Sequence, residues 1–435
     1  MKTRKYGLIT TIAMVVGIVI GSGIFFKTDD ILVKTNGNVF FGAIAFVIGA
    51  LGMIFGSLTI AKIATKDDTA GGIITYSEMA YNKKFGYYVG ILQIFLYYPC
   101  LAAIISWVAG IYTGILFGFE INSLTHWVVA GGYLVILFII NLITEKLGGN
   151  FQNISTFIKL IPLIIIAILG LIFGDTSNIT NSITTSNIIT STSALVAVAF
   201  AFDGWIVATS ICHEVKNAKK NIPLALTIGS LLVLSIYLLY YLGISATVGA
   251  DKIIELGDAH VKEAADILLG GNAYKYISIC IVISVLGTVN GLILGLIRLP
   301  YSMGIRKELP KSDILGKLNS KTNMPVNSGI FAFTEVLFWF FVHFLTTKIP
   351  AIATFDISAL PIIMNYVIYI ALYVYVIKKS ENKKDIIIPS LAIIGALLVV
   401  ITGFMDENII LYLAVTMIVL LIGKSIKRKG EKKAN

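Results

Sequence analysis

The chain has 435 residues, of which 57% are hydrophobic and 13% are charged, against roughly 25% charged residues in soluble domains. A soluble protein could not bury that much apolar surface, so the composition excludes a soluble fold and indicates a polytopic membrane protein. The formal charge of +10 does not indicate nucleic-acid binding, because most lysines and arginines fall in short loops on alternate sides of the apolar stretches.

Twelve apolar stretches are long enough to span a bilayer as helices. They cover residues 7–33, 39–63, 85–116, 126–145, 151–173, 189–212, 223–248, 273–304, 326–346, 352–377, 386–403 and 408–424. The distribution of basic residues predicts that both termini lie in the cytoplasm. The prediction is therefore a single all-α membrane domain over residues 1–435, ending in a basic cytoplasmic tail at 425–435.

Two of these stretches are interrupted near their middle by residues that loosen a helix. The interruptions are Gly21-Ser22-Gly23 in the first stretch and Asp203-Gly204 in the sixth. Each glycine costs a helix about 1 kcal/mol relative to alanine, and unwound backbone inside a membrane is tolerated where it is buried in protein or lines a cavity. We therefore expect the helices to be discontinuous at both places.

The interrupted stretches lie five apart in the order of spans. This placement predicts two inverted repeats, residues 7–173 and 189–377, which meet near the middle of the membrane. Residues 386–424 then form an appended pair of helices. A further polar segment, 251–271, is expected to form short amphipathic helices over the outer mouth.

At the first interruption, backbone N–H groups of Ser22, Gly23 and Ile24 would lie at the N-terminus of a half-helix, which attracts a carboxylate. The alternative is a notch of small residues that lets two helices pack closely. At the second interruption, carbonyl groups of Phe200 and Ala201 would lie at the C-terminal end of a half-helix, which attracts an ammonium group. A site with both properties fits a zwitterion.

Three side chains near these interruptions carry alternative interpretations. Phe200 or Phe202 is either a gate over the site or ordinary packing. Asp203, taken as the only acid near mid-membrane, is a functional candidate because buried charges are costly, but an N-cap of the following half-helix explains it equally well. Lys159, eight residues into the fifth stretch, is either a coupling group, a fixed cation in place of sodium, or a structural amine.

The sequence contains no arrangement of nucleophile, base and orienting group, so we do not expect an enzyme. The three cysteines, Cys100, Cys212 and Cys280, fall inside or at the ends of apolar stretches. Their spacing fits neither a disulfide framework nor a metal site. We therefore expect no metal and no cofactor.

Four motifs resemble the amino acid, polyamine and organocation transporter superfamily, and within it the L-type amino acid transporters. They are GIVIGSGIF at 17–25, AGGIITYSE at 70–78, FAFDGW at 200–205 with EVKNAKKNIP at 214–223, and RLPYSMGIRKELP at 298–310. The resemblance covers about the first three quarters of the chain. It implies a LeuT-type fold of twelve helices, with discontinuous helices 1 and 6, that works by alternating access.

The resemblance also implies roles for individual residues. Backbone at Val19, Ser22, Gly23 and Ile24 is expected to hold the substrate carboxylate. Carbonyls at Phe200, Ala201 and Asp203 are expected to hold the amino group, with Phe200 as the inner gate. Lys159 is expected to stand where related transporters bind sodium, contacting span 1 backbone near the break and Ser284.

Two departures from the family pattern leave side-chain specificity open, namely Phe202 where tyrosine is frequent and Ala218 where proline is frequent. The loop from Phe117 to Thr125 lacks the cysteine through which animal relatives tether a glycoprotein subunit, so no disulfide-linked glycoprotein partner is expected. The predicted activity is sodium-independent exchange of small neutral amino acids at the cell membrane. The alternatives are a proton-coupled symporter, a polyamine or cationic amino acid permease, and a sensor that binds without transporting.

Overall fold

The residues that the computed structural model describes are 6–21, 23–66, 72–180, 194–206 and 215–434. Within these ranges the chain is helical, and its β-type pairing is a single parallel bridge between Tyr6 and Val215. The Lys216 amide donates to the Tyr6 carbonyl oxygen (2.9 Å). The bridge therefore puts the start of the first helix and the chain after the sixth span on one side, called the inner side below.

The helices of the first half are α1 (Leu8–Val19), α2 (Gly23–Phe26), α3 (Thr28–Lys34), α4 (Val39–Ala64), α5 (Gly72–Ala80), α6 (Lys83–Leu92), α7 (Tyr98–Phe117), α8 (Leu124–Ile143), α9 (Glu145–Ile158), α10 (Leu160–Phe173), α11 (Ser177–Thr180) and α12 (Ala194–Ala201). A π-helical segment, Gln93–Tyr97, joins α6 to α7.

The helices of the second half are α13 (Ala218–Val248), α14 (Ala250–Leu256), α15 (His260–Leu269), α16 (Ala273–Ile305), α17 (Ser312–Leu315), α18 (Val326–Lys348), α19 (Ala359–Lys378), α20 (Lys384–Phe404) and α21 (Ile409–Ala434). Short 3₁₀ turns cover Gly257–Ala259 and Pro350–Ile352.

Among the described residues, 11 helical segments are long and apolar enough to cross a membrane. They match the predicted spans except the sixth, which extends beyond the described residues on both sides of 194–206. Many large apolar side chains on these helices are exposed in the isolated chain. In a bilayer that exposure is favourable, because lipid tails are as apolar as the side chains.

The helix α13 packs on α1, α4 and α10. Its aromatic residues Tyr237, Tyr240 and Tyr241 are fully buried. The helix α7 packs along α16, and α20 covers α4 and α19. These contacts enclose the interrupted first and sixth helices from several sides, so that both breaks lie inside the protein rather than against lipid.

A second acid lies within a membrane helix, which corrects the prediction that Asp203 is the only one. Glu335 lies near the middle of α18 (Val326–Lys348) and is half-buried. The sequence pattern does not single out this acid, because one charged residue hardly lowers the mean hydropathy of a long apolar stretch. Among the described residues, no hydrogen bond or ion pair of Glu335 is found.

Candidate functional site

The first helix is interrupted where the glycine-serine-glycine motif predicts. The helix α1 ends at Val19, and Ile20 is extended at φ −67° and ψ 109°, with its amide still bonded to the Val16 carbonyl. The helix α2 then begins at Gly23, and Ser22 lies outside the described residues. Carbonyl oxygens at the end of α1 therefore lack helical partners and must find other donors.

Lys159 supplies two of those donors. Its Nζ lies 2.5 Å from the carbonyl oxygens of both Gly17 and Ile20, and the side chain is 1% exposed. The lysine sits between α9 and α10, where Pro162 cannot donate to the carbonyl four residues before it and the helix is interrupted. The expected contact with span 1 backbone is thus present in the structure.

Ser284 does not share this contact. Its hydroxyl is buried and has no hydrogen-bond partner among the described residues. The ammonium of Lys159 reaches the α1 carbonyls instead, and the expectation that Ser284 completes its shell is wrong for this structure.

The sixth helix is interrupted at the predicted position as well. The helix α12 ends at Ala201, and the chain turns through Phe202–Gly204, with Gly204 at φ +96°. That φ favours glycine because a Cβ would be strained there. The break therefore follows from the Asp203-Gly204 pair.

The carbonyls at this break are already engaged. The Phe200 oxygen accepts from the Asp203 amide at 3.1 Å, and the Ala201 oxygen accepts from the Tyr237 hydroxyl at 3.0 Å. The carboxylate of Asp203 accepts from the Tyr97 hydroxyl. Of the following half-helix the structure describes Trp205 and Ile206, and the N-cap interpretation of Asp203 stays a prediction.

Tyr237 connects the two breaks, because its hydroxyl also lies 3.2 Å from the Val19 carbonyl oxygen. Val19 therefore presents an acceptor, not the donor that a substrate carboxylate requires. Neither Tyr237 nor Tyr97 was predicted, since each is an ordinary tyrosine in an apolar helix. The one sequence signal for Tyr97 is its position just before Pro99, where the π-helical segment ends.

The backbones of the two breaks touch. A Cβ placed on Gly23 would lie 2.6 Å from the Cα of Ala201, so a side chain at position 23 would overlap the sixth helix. Ile24 is fully buried, and its carbonyl oxygen accepts from the Thr28 hydroxyl at 2.5 Å. The glycine at the break in the first helix therefore also allows that helix to pack closely on the sixth.

Phe200 lies on the outer side of the breaks. Its ring packs edge-on against Phe26 at a centroid distance of 6.1 Å, and Lys27 Nζ lies 5.4 Å from its centroid. The buried Lys27 pairs with Asp30 (2.7 Å) and Asp356 (3.3 Å). The ring therefore belongs to an outer closure, which changes the expected placement of Phe200 as an inner gate.

Cavities lie on both sides of this closed centre. The outer cavity has a volume of about 380 Å³ and includes Lys27, Phe200 and Asp356 in its wall. The inner cavity, of about 980 Å³, lies between the inner ends of α4, α13, α19 and α20. On the inner side Arg306 also joins two of the sequence motifs, with its Nη1 2.5 Å from Glu78 and its Nε 3.6 Å from Glu308.

Among the described residues, no group of three or more His, Cys, Asp or Glu side chains could hold a metal ion. Cys100 and Cys280 are free thiols, while Cys212 lies outside the described residues. The arrangement has the features of a carrier for a small solute: two unwound helices in contact, polar backbone at mid-membrane, and a cavity on either side.

Sequence comparison with known proteins finds related transporters. The family model described as amino acid permease matches residues 6–426. The serine/threonine exchanger SteT of Bacillus subtilis is 30% identical over 390 residues, which cover 87% of this chain and 84% of that protein.

Two human transporters are more distant relatives. The human cystine/glutamate transporter is 26% identical over 75% of this chain and 66% of its own length. The human b(0,+)-type amino acid transporter 1 is 26% identical over 75% of this chain and 68% of its own length. The match over nearly the whole chain, together with the two interrupted helices, shows that this protein belongs to the amino acid permease family.

Proposed function

We propose that this protein exchanges small neutral L-amino acids, of the size of serine and threonine, across the cell membrane by alternating access. The family membership and the similarity to a serine/threonine exchanger support the substrate class. The observation that carries the proposal is the contact between two unwound helices at mid-membrane, formed by Gly23 and Ala201.

In this proposal the amino acid bridges the two breaks. Backbone N–H groups at Ser22, Gly23 and Ile24 bind the carboxylate, because the start of a helix favours negative charge. The carbonyls of Phe200, Ala201 and Asp203 bind the ammonium. The Tyr237 hydroxyl, which now donates to the Ala201 carbonyl, would have to yield to the substrate, and the two backbones would have to separate.

We further propose that transport is independent of sodium. The Lys159 ammonium occupies the Gly17 and Ile20 carbonyl oxygens at 2.5 Å each. Carbonyl oxygens that are bound by a fixed cation cannot also complete the oxygen shell of a sodium ion, since the two positive charges would repel each other. Lys159 would thus supply the charge that a bound ion would otherwise bring.

The closures on the two sides provide the gates. Phe200, Lys27 and Asp356 close the outer side, and Arg306 with Glu78 ties the inner side. With both termini in the cytoplasm, as the basic residues predict, the cavity of about 980 Å³ faces the cytoplasm. The loop from Phe117 to Thr125 has no cysteine, so we propose that the protein works without a disulfide-linked glycoprotein subunit.

Purified protein in liposomes tests these proposals. Labelled serine should enter liposomes loaded with serine or threonine, should not enter empty ones, and should enter equally when sodium is replaced by choline. Uptake into empty liposomes that follows an imposed pH gradient would instead establish proton-coupled symport. Binding without any uptake would establish a sensor, and preference for polyamines or cationic amino acids would overturn the substrate class.

A further inference from the structure

A short helical segment covers the outer side of the first broken helix. It consists of α14, the turn Gly257–Ala259 and α15, and it packs on α3 as well as on α13 and α16. Its own apolar side chains Ile253, Val261 and Ala264 are buried against the rest of the protein. The amphipathic helices expected over the outer mouth are therefore docked on α3, the outer part of the helix that must move during transport.

Two carboxyl groups lie at this contact, each with one unpaired oxygen. Asp29 lies in the first turn of α3, and Asp258 lies in the turn between α14 and α15. A Cβ on the neighbouring Gly257 would lie 3.7 Å from the Asp29 carboxylate, so the turn lies directly against it. One oxygen of each carboxyl is shielded from solvent and accepts no hydrogen bond within the described part of the chain.

Two buried tyrosines complete the site. Tyr112 on α7 is 1% exposed and Tyr240 on α13 is 0% exposed. Neither hydroxyl has a hydrogen-bond partner among the described residues. Both interact electrostatically with Asp29, and Tyr112 also interacts with Asp258. Both tyrosines therefore bury an unpaired hydroxyl within electrostatic range of the carboxyl pair, where each unmade hydrogen bond costs about 1–3 kcal/mol.

The other charged groups around the pair do not neutralise it. Asp30 adds negative charge, and Lys27, whose charge acts on both carboxyls, is itself bound by Asp30 and Asp356. His260 follows the turn, and burial lowers its pKa to about 4, against a smaller opposing effect of its hydrogen bond to the Gly257 carbonyl. It is therefore neutral near pH 7.

Two carboxyl groups in such surroundings cannot both ionise cheaply. Burial, followed by the negative charges of Asp29 and Asp30, raises the pKa of Asp258 well above its ordinary value. One proton held between the pair leaves a single negative charge. A hydrogen bond from the hydroxyl of Tyr112 or Tyr240 would stabilise that charge.

We propose that Asp29 and Asp258 form a proton-binding site that holds α3 against the segment over the outer mouth. When the proton is lost, two negative charges repel each other across the contact and favour its separation. Because protonation favours the packed state, the contribution is present at low pH and is lost as pH rises. Acid outside the membrane therefore stabilises the closed outer side.

Thermal melting of the full-length protein in lipid nanodiscs tests this site without requiring transport. Between about pH 5 and about pH 9, a range in which exposed carboxyls are already largely ionised, the melting temperature of the wild type should fall by about 2–4 °C. Asp258→Asn should remove that fall, and Asp29→Asn should do the same if the first variant does not fold. Asp251→Asn, at an exposed acid of the same segment, is the matched control and should keep the fall.

Tyr112→Phe tests the site through the pH at which the melting temperature falls, which a merely structural role would not change. Loss of a donor to the carboxylate should move the midpoint of the fall to higher pH. Equal pH profiles of the wild type and both acid variants would overturn the site. A melting temperature that follows sodium concentration at fixed pH, with N-methylglucamine as the replacement, would overturn the assignment of the ligand as a proton. Failure of serine exchange would leave these results unaffected.

Discussion

The two breaks satisfy their exposed backbone in different ways. At the first, a fixed cation from another helix binds two carbonyl oxygens, with Lys159 Nζ 2.5 Å from each. At the second, the Ala201 carbonyl is bound by a single neutral hydroxyl, that of Tyr237 at 3.0 Å. Hydrogen bonds to charged groups contribute about 1.5–3 kcal/mol and neutral ones about 0.5–1.5 kcal/mol. The end of α1 is therefore held more strongly than the Ala201 carbonyl, which can exchange its partner more easily.

The second break also contains a charged side chain, that of Asp203, but it has a different role from Lys159 at the first break. The Asp203 carboxylate, which carbonyl oxygens would repel, accepts from the Tyr97 hydroxyl on the π-helical segment. Such segments occur often at functional sites because one extra residue per turn redirects the neighbouring side chains. The acid at the second break thus accepts from one neighbouring hydroxyl, while the amine at the first break supplies missing donors.

Contact between the breaks gives the largest predicted effect. Gly23→Leu should reduce serine binding by roughly 5- to 150-fold, because overpacking costs about 1–3 kcal/mol and the first added carbon would lie 2.6 Å from the Ala201 Cα. Equilibrium binding of labelled serine to purified protein measures this. Gly132→Leu is the control, since a Cβ there meets nothing within 4 Å. Unchanged affinity in Gly23→Leu would remove this contact from the site.

The fixed cation gives the next effect. Lys159→Ala should lower the exchange rate by about 10-fold or more, because two buried carbonyls lose donors that contribute about 1.5–3 kcal/mol each. The exchange rate in liposomes should fall by a larger factor than the loss of stability, measured as the lowered melting temperature, would explain. Lys275→Ala, which removes an exposed lysine of α16, should have no effect. A fully active Lys159→Ala variant would exclude the lysine from the mechanism.

The acid of the second break gives a smaller effect. Tyr97→Phe removes the donor to the Asp203 carboxylate and should slow exchange by about 10-fold, in line with a hydrogen bond to a charged group. Asp203→Asn should slow exchange by a similar factor, and the double variant should be no slower than either single one, because both remove one interaction. Tyr98→Phe is the control for loss of a neighbouring hydroxyl. Additive losses would show that the two residues act separately.

Removal of the Tyr237 hydroxyl should have the smallest effect, and it should strengthen serine binding rather than weaken it. Tyr237→Phe should raise the affinity for serine about 2- to 10-fold, because a competing hydrogen bond of about 0.5–1.5 kcal/mol to the Ala201 carbonyl is removed. Isothermal titration calorimetry measures the change. Tyr241→Phe, whose hydroxyl is buried without a partner among the described residues, is the control. Weaker binding by Tyr237→Phe would identify the hydroxyl as a substrate ligand rather than a competitor.

Much of the site was predictable because its signals are local. The glycines and serine at 21–23 and the pair Asp203-Gly204 are improbable in a lipid-facing helix, and both breaks occur there. An amine as deep as that of Lys159 must find acceptors, and the nearest break supplies them. The side of the membrane on which Phe200 packs was not predictable, since an aromatic residue beside a break can close over it from either side.

The remaining contacts join residues far apart in the chain. Tyr97 meets Asp203, Lys27 meets Asp356, and Tyr237 meets both breaks. Tyrosine in an apolar helix has many possible partners, and its sequence neighbours do not show which way the hydroxyl points. These pairings depend on how α7, α13 and α19 cross the broken helices.

The sequence by itself determined that the chain spans a membrane, where two of its helices break, and that an amine lies deep within the fifth span. These properties are local, because they depend on hydrophobicity, glycine content and the cost of an unpaired charge. Only the tertiary structure decided which donors satisfy the freed carbonyls, which side Phe200 closes, and that Asp29 lies against the turn that contains Asp258. Those outcomes depend on the packing of distant helices, since a hydrogen bond requires two groups within about 3 Å, and only the complete fold sets that distance.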